Sequence, residues 1–147
     1  MLQDRLGYLL KHAQSALAAQ TAAALEPLRI NGRELAVLSV LGAAEPLAQQ
    51  QAATKLSVDR TTMVDLVDAL ERKGLVERRS DPADRRRNLV HLTPDGEKTL
   101  AEGNRRYQEI ESALLTDRDA TDLKRLLRRL LAKAEAAAGE SGAVDAS

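Results

Sequence analysis

Arg85, Arg86 and Arg87 stand in a row directly after Ser80-Asp81-Pro82-Ala83-Asp84, a stretch of turn-forming chemistry. Adjacent guanidiniums repel one another in isolation, so a polyanionic partner gives the run a physical reason. From charge alone, a solvated loop is an equal reading. The flanks favour the first. Leu75-Val76-Glu77-Arg78-Arg79 and Asn88-Leu89-Val90-His91-Leu92 read as short strands, which makes a β-hairpin with arginine at its tip. Such a ribbon can lay a guanidinium in the narrow minor groove of DNA, where negative potential is enhanced. Asp84, beside the run, is placed to pair with one arginine and fix its direction.

A second group lies upstream. Asp59 is a plausible N-cap, followed by Arg60, Thr61 and Thr62, and then by Met63, Leu66, Val67 and Leu70 at helical spacing until Gly74. A short helix over residues 47–56, carrying Gln49, Gln50 and Gln51, precedes it across a tight turn. Two such helices make the helix-turn-helix outline, whose second helix fits the major groove with its N-terminal residues toward base edges. Arg60 can bond guanine or a phosphate; the threonines can touch a phosphate or a thymine methyl. Asp65 repels phosphate unless it accepts from cytosine N4 or orients a neighbouring arginine. Gln49 and Arg78 join these as candidate DNA contacts. Thr61 and Thr62 as ordinary first-turn residues remain an open alternative.

Other chemistries find no pattern. The chain has no P-loop, no dinucleotide-binding glycine fingerprint, no nucleophile elbow and no zinc-protease motif. Its two histidines, His12 and His91, are too far apart in sequence for a local metal pair, and the absence of cysteine removes disulfides, thiolate metal sites and thiol redox sensing. The expectation is a protein without catalysis, metal or cofactor. No apolar run reaches membrane-spanning length and the N-terminus has no signal-peptide pattern, so the expected location is the cytoplasm. Net charge is zero over 147 residues, yet residues 71–87 hold seven Lys/Arg against four Asp/Glu. Local charge on a neutral body still grips phosphate.

The elements that must position these groups are mostly helical. With no Phe or Trp and only Tyr8 and Tyr107, the interior falls to Leu, Ala and Val, and Leu and Ala are strong helix formers. Helices are expected over residues 2–25, from Asn31-Gly32 to about Gly42, from Thr93-Pro94 to about Leu115, and from Thr116 onward through Leu123, Leu126, Leu127, Leu130 and Leu131. Residues 139–147 have nothing to bury and read as a disordered tail. The fold class is therefore mostly α with a small β-hairpin wing: a winged helix-turn-helix with helical extensions. The divisions are a helix over 1–30, a DNA-binding lobe over 31–97, and C-terminal helices over 98–138.

From about Leu35 to Leu100 the chain resembles the multiple-antibiotic-resistance regulator (MarR) family. The resemblance rests on Leu70, Gly74, Leu75, Val76 and Arg78 at the helix–wing junction, on Asp84 and Arg86 in the wing, and on Leu92, Thr93 and Gly96 after it. It implies a homodimeric repressor on a pseudo-palindromic operator, with the first and last helices at the dimer interface. Arg86 would be the minor-groove arginine and Asp84 its orienting partner, with residues 60–65 in the major groove. It further implies release by a small lipophilic or phenolic effector, for which Tyr8 and His12, one turn apart, with Leu38 opposite, are candidates; plain packing is the other reading of that pair. Ala52, where the family often has a larger apolar residue, and Asp65, where it is often polar or basic, depart from the pattern. Two rivals stay open: a winged-helix interaction module without DNA binding, and a metal-responsive regulator using His12, His91 and carboxylates.

Overall fold

The computed structural model describes residues 1–43 and 45–144. After a 3-10 turn at Leu2–Asp4 come α1 (Leu6–Leu25) and a second 3-10 turn, Glu26–Leu28, where Pro27 fixes the backbone. Next in the chain are α2 (Gly32–Leu41), β1 (Leu47–Ala48), α3 (Gln49–Leu56), α4 (Arg60–Arg72), β2 (Val76–Ser80), β3 (Asn88–Leu92), α5 (Pro94–Leu114) and α6 (Asp117–Val144). The chain divides into two compact units, Met1–Ile110 and Glu111–Ser147.

In the first unit the elements around the wing start and stop on local chemistry. Asn31 caps α2: its side chain accepts from the Glu34 N–H at 2.9 Å, while Glu34 accepts from the Asn31 N–H at 3.1 Å. The buried Glu34 carboxylate also takes Lys73 Nζ at 2.7 Å, tying the start of α2 to the end of α4. Ser57 takes the left-handed conformation, closing α3 and turning the chain into α4. Gly74 (φ 74°) closes α4 as the spacing predicts. Leu38, Met63, Val67, Leu70, Val76 and Val90 are fully buried around these turns, so the α4 stripe read from the sequence is its core face.

Two expectations are corrected. Residues 47–48 are a strand, not helix: Leu47 pairs with Val90 and Ala48 with Leu89, and the three-stranded antiparallel sheet runs β1-β3-β2. Pro46 just before them disfavours an α conformation at its predecessor, and the bare edge of β3 offers the backbone a ladder. Residues 139–144 continue α6 rather than forming a loose tail. The alanine-rich Ala134–Ala138 run propagates a helix without needing burial; residues 145–147 lie outside the described ones.

Candidate nucleic-acid interface

The wing is β2, its loop and β3, in register from Val76 opposite Leu92 to Ser80 opposite Asn88. Asp81, only 5% exposed, organises the loop. Its carboxylate accepts from Arg87 Nε at 2.8 Å and from the Ala83 N–H at 2.9 Å, and its own N–H donates to the Arg87 carbonyl at 3.0 Å. The Arg87 hydrogen bond first, and the Ala83 N–H second, hold the Asp81 carboxyl below the usual carboxylate range. Asp84 plays a different part from the expected ion pair. It accepts the backbone N–H of Arg86 at 3.0 Å, an Asx turn that shapes the main chain under that arginine. The ion pair of the loop is Arg87 with Asp81. Arg87 is thus anchored, and Arg85 and Arg86 are exposed side chains with no ion-pair partner among the described residues.

On α4, Asp59 is the cap. Its carboxylate accepts the Thr62 N–H at 3.2 Å and the Thr62 hydroxyl, and these bonds, the hydroxyl first, lower its pKa. Thr62 is therefore held as a capping partner, while Arg60, Thr61 and Asp65 are exposed along the helix. Gln49 and Arg78 face each other within the lobe: Arg78 Nη2 donates to Gln49 Oε1 at 3.1 Å and to Asp68 Oδ1 at 2.6 Å, and Nη1 donates to Glu71 Oε1 at 3.0 Å. The sequence reading missed Asp68 and Glu71 as partners of Arg78. They lie about one and two turns beyond Asp65 on α4 and meet Arg78 of β2, a juxtaposition only the fold creates.

Thr93 locks the wing to α5. Its hydroxyl donates to the Gly74 carbonyl at 2.6 Å and accepts the Gly96 N–H at 3.0 Å, so the residue that caps α5 also closes the base of the hairpin. Gly96 must be glycine: a Cβ there would lie 1.9 Å from the Leu75 carbonyl oxygen.

The candidate effector residues differ in burial. Tyr8 and His12 touch with ring centroids 4.1 Å apart and planes tilted by 39°, Tyr8 half-buried and His12 exposed, and Leu38 is buried in the lobe core. A groove of about 360 Å³ lies elsewhere, at the α3–α4 turn, lined by Arg33, Ala36, Leu56, Val58, Thr62 and Leu66 among others. Among the described residues no three His or carboxylate groups converge as a metal site, and no helix is long and apolar enough to cross a membrane.

A sequence profile of the MarR family matches residues 30–87. The chain is 34% identical over 112 residues to the multiple antibiotic resistance protein MarR of Salmonella typhimurium, covering 73% of this chain and 77% of that protein. It is 38% identical over 97 residues to a regulatory protein for the hcr operon of Thauera aromatica; the match covers 64% of this chain but only 58% of that longer relative. Among solved structures, the repressor CouR bound to a 23-mer DNA duplex superposes with a TM-score of 0.79 at 31% identity, covering 91% of this chain and 94% of CouR. CouR from Rhodococcus jostii RHA1 bound to p-coumaroyl-CoA gives 0.79 at 28% identity, covering 88% and 92%.

Proposed function

The chain belongs to the MarR family of transcription regulators, and from that premise we propose that it is a cytoplasmic, homodimeric repressor. It occupies a pseudo-palindromic DNA operator and leaves it when a small effector binds. The observation that carries the reading is the wing. A loop built around Asp81 and Asp84 presents Arg85 and Arg86 outward, while Arg87 is held back as its anchor. Exposed cations on a rigid ribbon suit the minor groove, and Arg60 and Thr61 on the first turn of α4 suit the adjacent major groove. Asp65, exposed on the same helix, suits a cytosine N4 donor there. CouR's DNA complex supports the assignment by analogy of fold and sequence.

The dimer rests on apolar surface that the single chain leaves uncovered. Leu2, Leu6 and Leu9 at the start of the chain and Leu123, Leu126 and Leu131 on α6 are exposed, and rows of this kind mark association faces. For the effector, the phenolic thioester bound by CouR supports a phenolic or acyl-thioester class.

The test is selection of bound duplexes from a random pool, followed by titration of the winning sequence. Arg86→Ala should weaken operator binding about tenfold or more and lower the slope of log K against log salt by about two, one for each wing of the dimer. Wild type that binds no duplex at low salt sinks the reading and leaves an interaction module in its place. With operator in hand, p-coumaroyl-CoA and simple phenolic acids are the first effectors to titrate against the complex, and release is the expected result.

A further inference from the structure

Between α4 and the wing the chain passes only through Lys73, Gly74 and Leu75, so sequence connectivity alone leaves the angle between them loosely set. Arg78 spans that gap from the wing side. Its two terminal nitrogens reach Asp68 and Glu71 on α4 and Gln49 on α3, at 2.6, 3.0 and 3.1 Å. The second Glu71 oxygen accepts the Arg78 backbone N–H at 3.1 Å, so Glu71 holds both the main chain and the side chain of β2 at this point. The side chain is 20% exposed, against 63% for its neighbour Arg79, which among the described residues pairs with Glu77 two positions away. A planar guanidinium fork makes several bonds at once only when its partners stand in fixed geometry.

We infer that Arg78 is a positioning residue for DNA binding. It sets the wing, and with it Arg86, at a fixed angle to α4, and it does not itself grip a phosphate. This rests on the DNA-binding reading above. A phosphate at Arg78 would have to approach beside the Asp68 and Glu71 carboxylates, which repel it and already take the terminal nitrogens. The gain from holding two grips on one duplex depends on their linkage: when the linker is stiff, the second contact forms at high effective concentration, and when it loosens that advantage falls. Loss of Arg78 therefore uncouples the wing from the recognition helix, and the Arg86 contact weakens although its side chain is present.

The experiment uses the full chain and the operator selected by the wild type, with affinity and salt slope measured for Arg86→Ala, Arg78→Met, Arg78→Lys, Asp68→Asn and the Arg78→Met/Arg86→Ala double variant. Arg78→Met should lower operator affinity about tenfold or more, and its salt slope should fall no further than that of Arg86→Ala, since the contact it weakens is that of Arg86. Arg78→Lys keeps the charge but lacks the fork, and should fall with the methionine variant. In the Arg78→Met background, Arg86→Ala should cost less than about threefold, far below its cost in the wild type. Asp68→Asn gives opposite signs for the two roles. Removing a negative charge near DNA raises affinity for any duplex, whereas releasing the brace lowers affinity for the operator, and the second is expected. A methionine variant whose salt slope drops by about two for the dimer, with the Arg86 effect undiminished, makes Arg78 a phosphate ligand and overturns the inference. Tighter operator binding by Asp68→Asn overturns it as well. Should thermal melting show the methionine variant unfolded, Asp68→Asn decides alone, because it leaves the Arg78 stem packed. Wild type that binds no duplex fails the functional reading itself, before any variant is compared.

Discussion

Three adjacent arginines have three different standings. Arg87 is tied to Asp81, Arg86 has its backbone set by Asp84, and Arg85 is exposed without a partner among the described residues. The Arg87 anchor depends on the ionised carboxylate of Asp81, and this gives a pH prediction. The Asp81 pKa is lower in the folded protein than its ordinary value of 3.8. Its contribution is complete above the unfolded value and is lost as pH falls through the folded one. Asp81→Asn should be less stable than wild type at pH 7 and should lose less stability than wild type on acidification below about pH 4, read by thermal melts across pH. An unchanged melting temperature at pH 7 contradicts that role. Glu102 follows the same sign on α5: Arg105 first and Arg106 second bring its pKa down to about 2, and Arg106 also donates to the Ala24 carbonyl at 3.0 Å.

At the scale of elements, the wing's two ends depend on backbone that side chains obstruct. Gly74 sits at φ 74°, so Gly74→Ala should cost about 1–2 kcal/mol from left-handed strain alone. Gly96→Ala places a methyl against the Leu75 carbonyl and should destabilise more, about 3 kcal/mol or above as an overpacked site that cannot yield. Chemical denaturation orders the two, and the reverse order argues that the Leu75–Gly96 contact relaxes easily. Both positions were already marked by their place in the sequence pattern, one after the α4 stripe and one after Thr93. The reason for Gly96 was not, because Leu75 meets it only when the hairpin folds back.

For the molecule as a whole, the proposed DNA binding by a neutral protein rests on local charge and on a second copy of the chain. The α6 helix runs 28 residues with its leucines exposed or half-buried and no fully buried residue described. A helix of that kind takes its stability from an amphipathic face packed on a partner. Leu126→Glu should shift sedimentation equilibrium toward monomer and weaken operator binding by well over tenfold, since half-site contacts no longer add. A dimer that persists in the variant removes this face from the interface.

The sequence by itself determined the helical periods, the cap at Asp59, the helix start at Thr93-Pro94, the hairpin strands and the exposed cations at its tip, because these depend on residues within a few positions of one another. It determined the family as well, through Asp84, Arg86 and the Leu92-Thr93-Gly96 junction. The tertiary structure decided how the charges pair. Arg78 with Asp68 and Gln49, Glu34 with Lys73, and β1 on the edge of β3 join residues 10 to more than 40 positions apart. Charge composition is silent on such pairs, since any of 22 cations can meet any of 22 carboxylates until the fold selects their neighbours. That selection separates the arginines that hold the reading head together from those left facing outward.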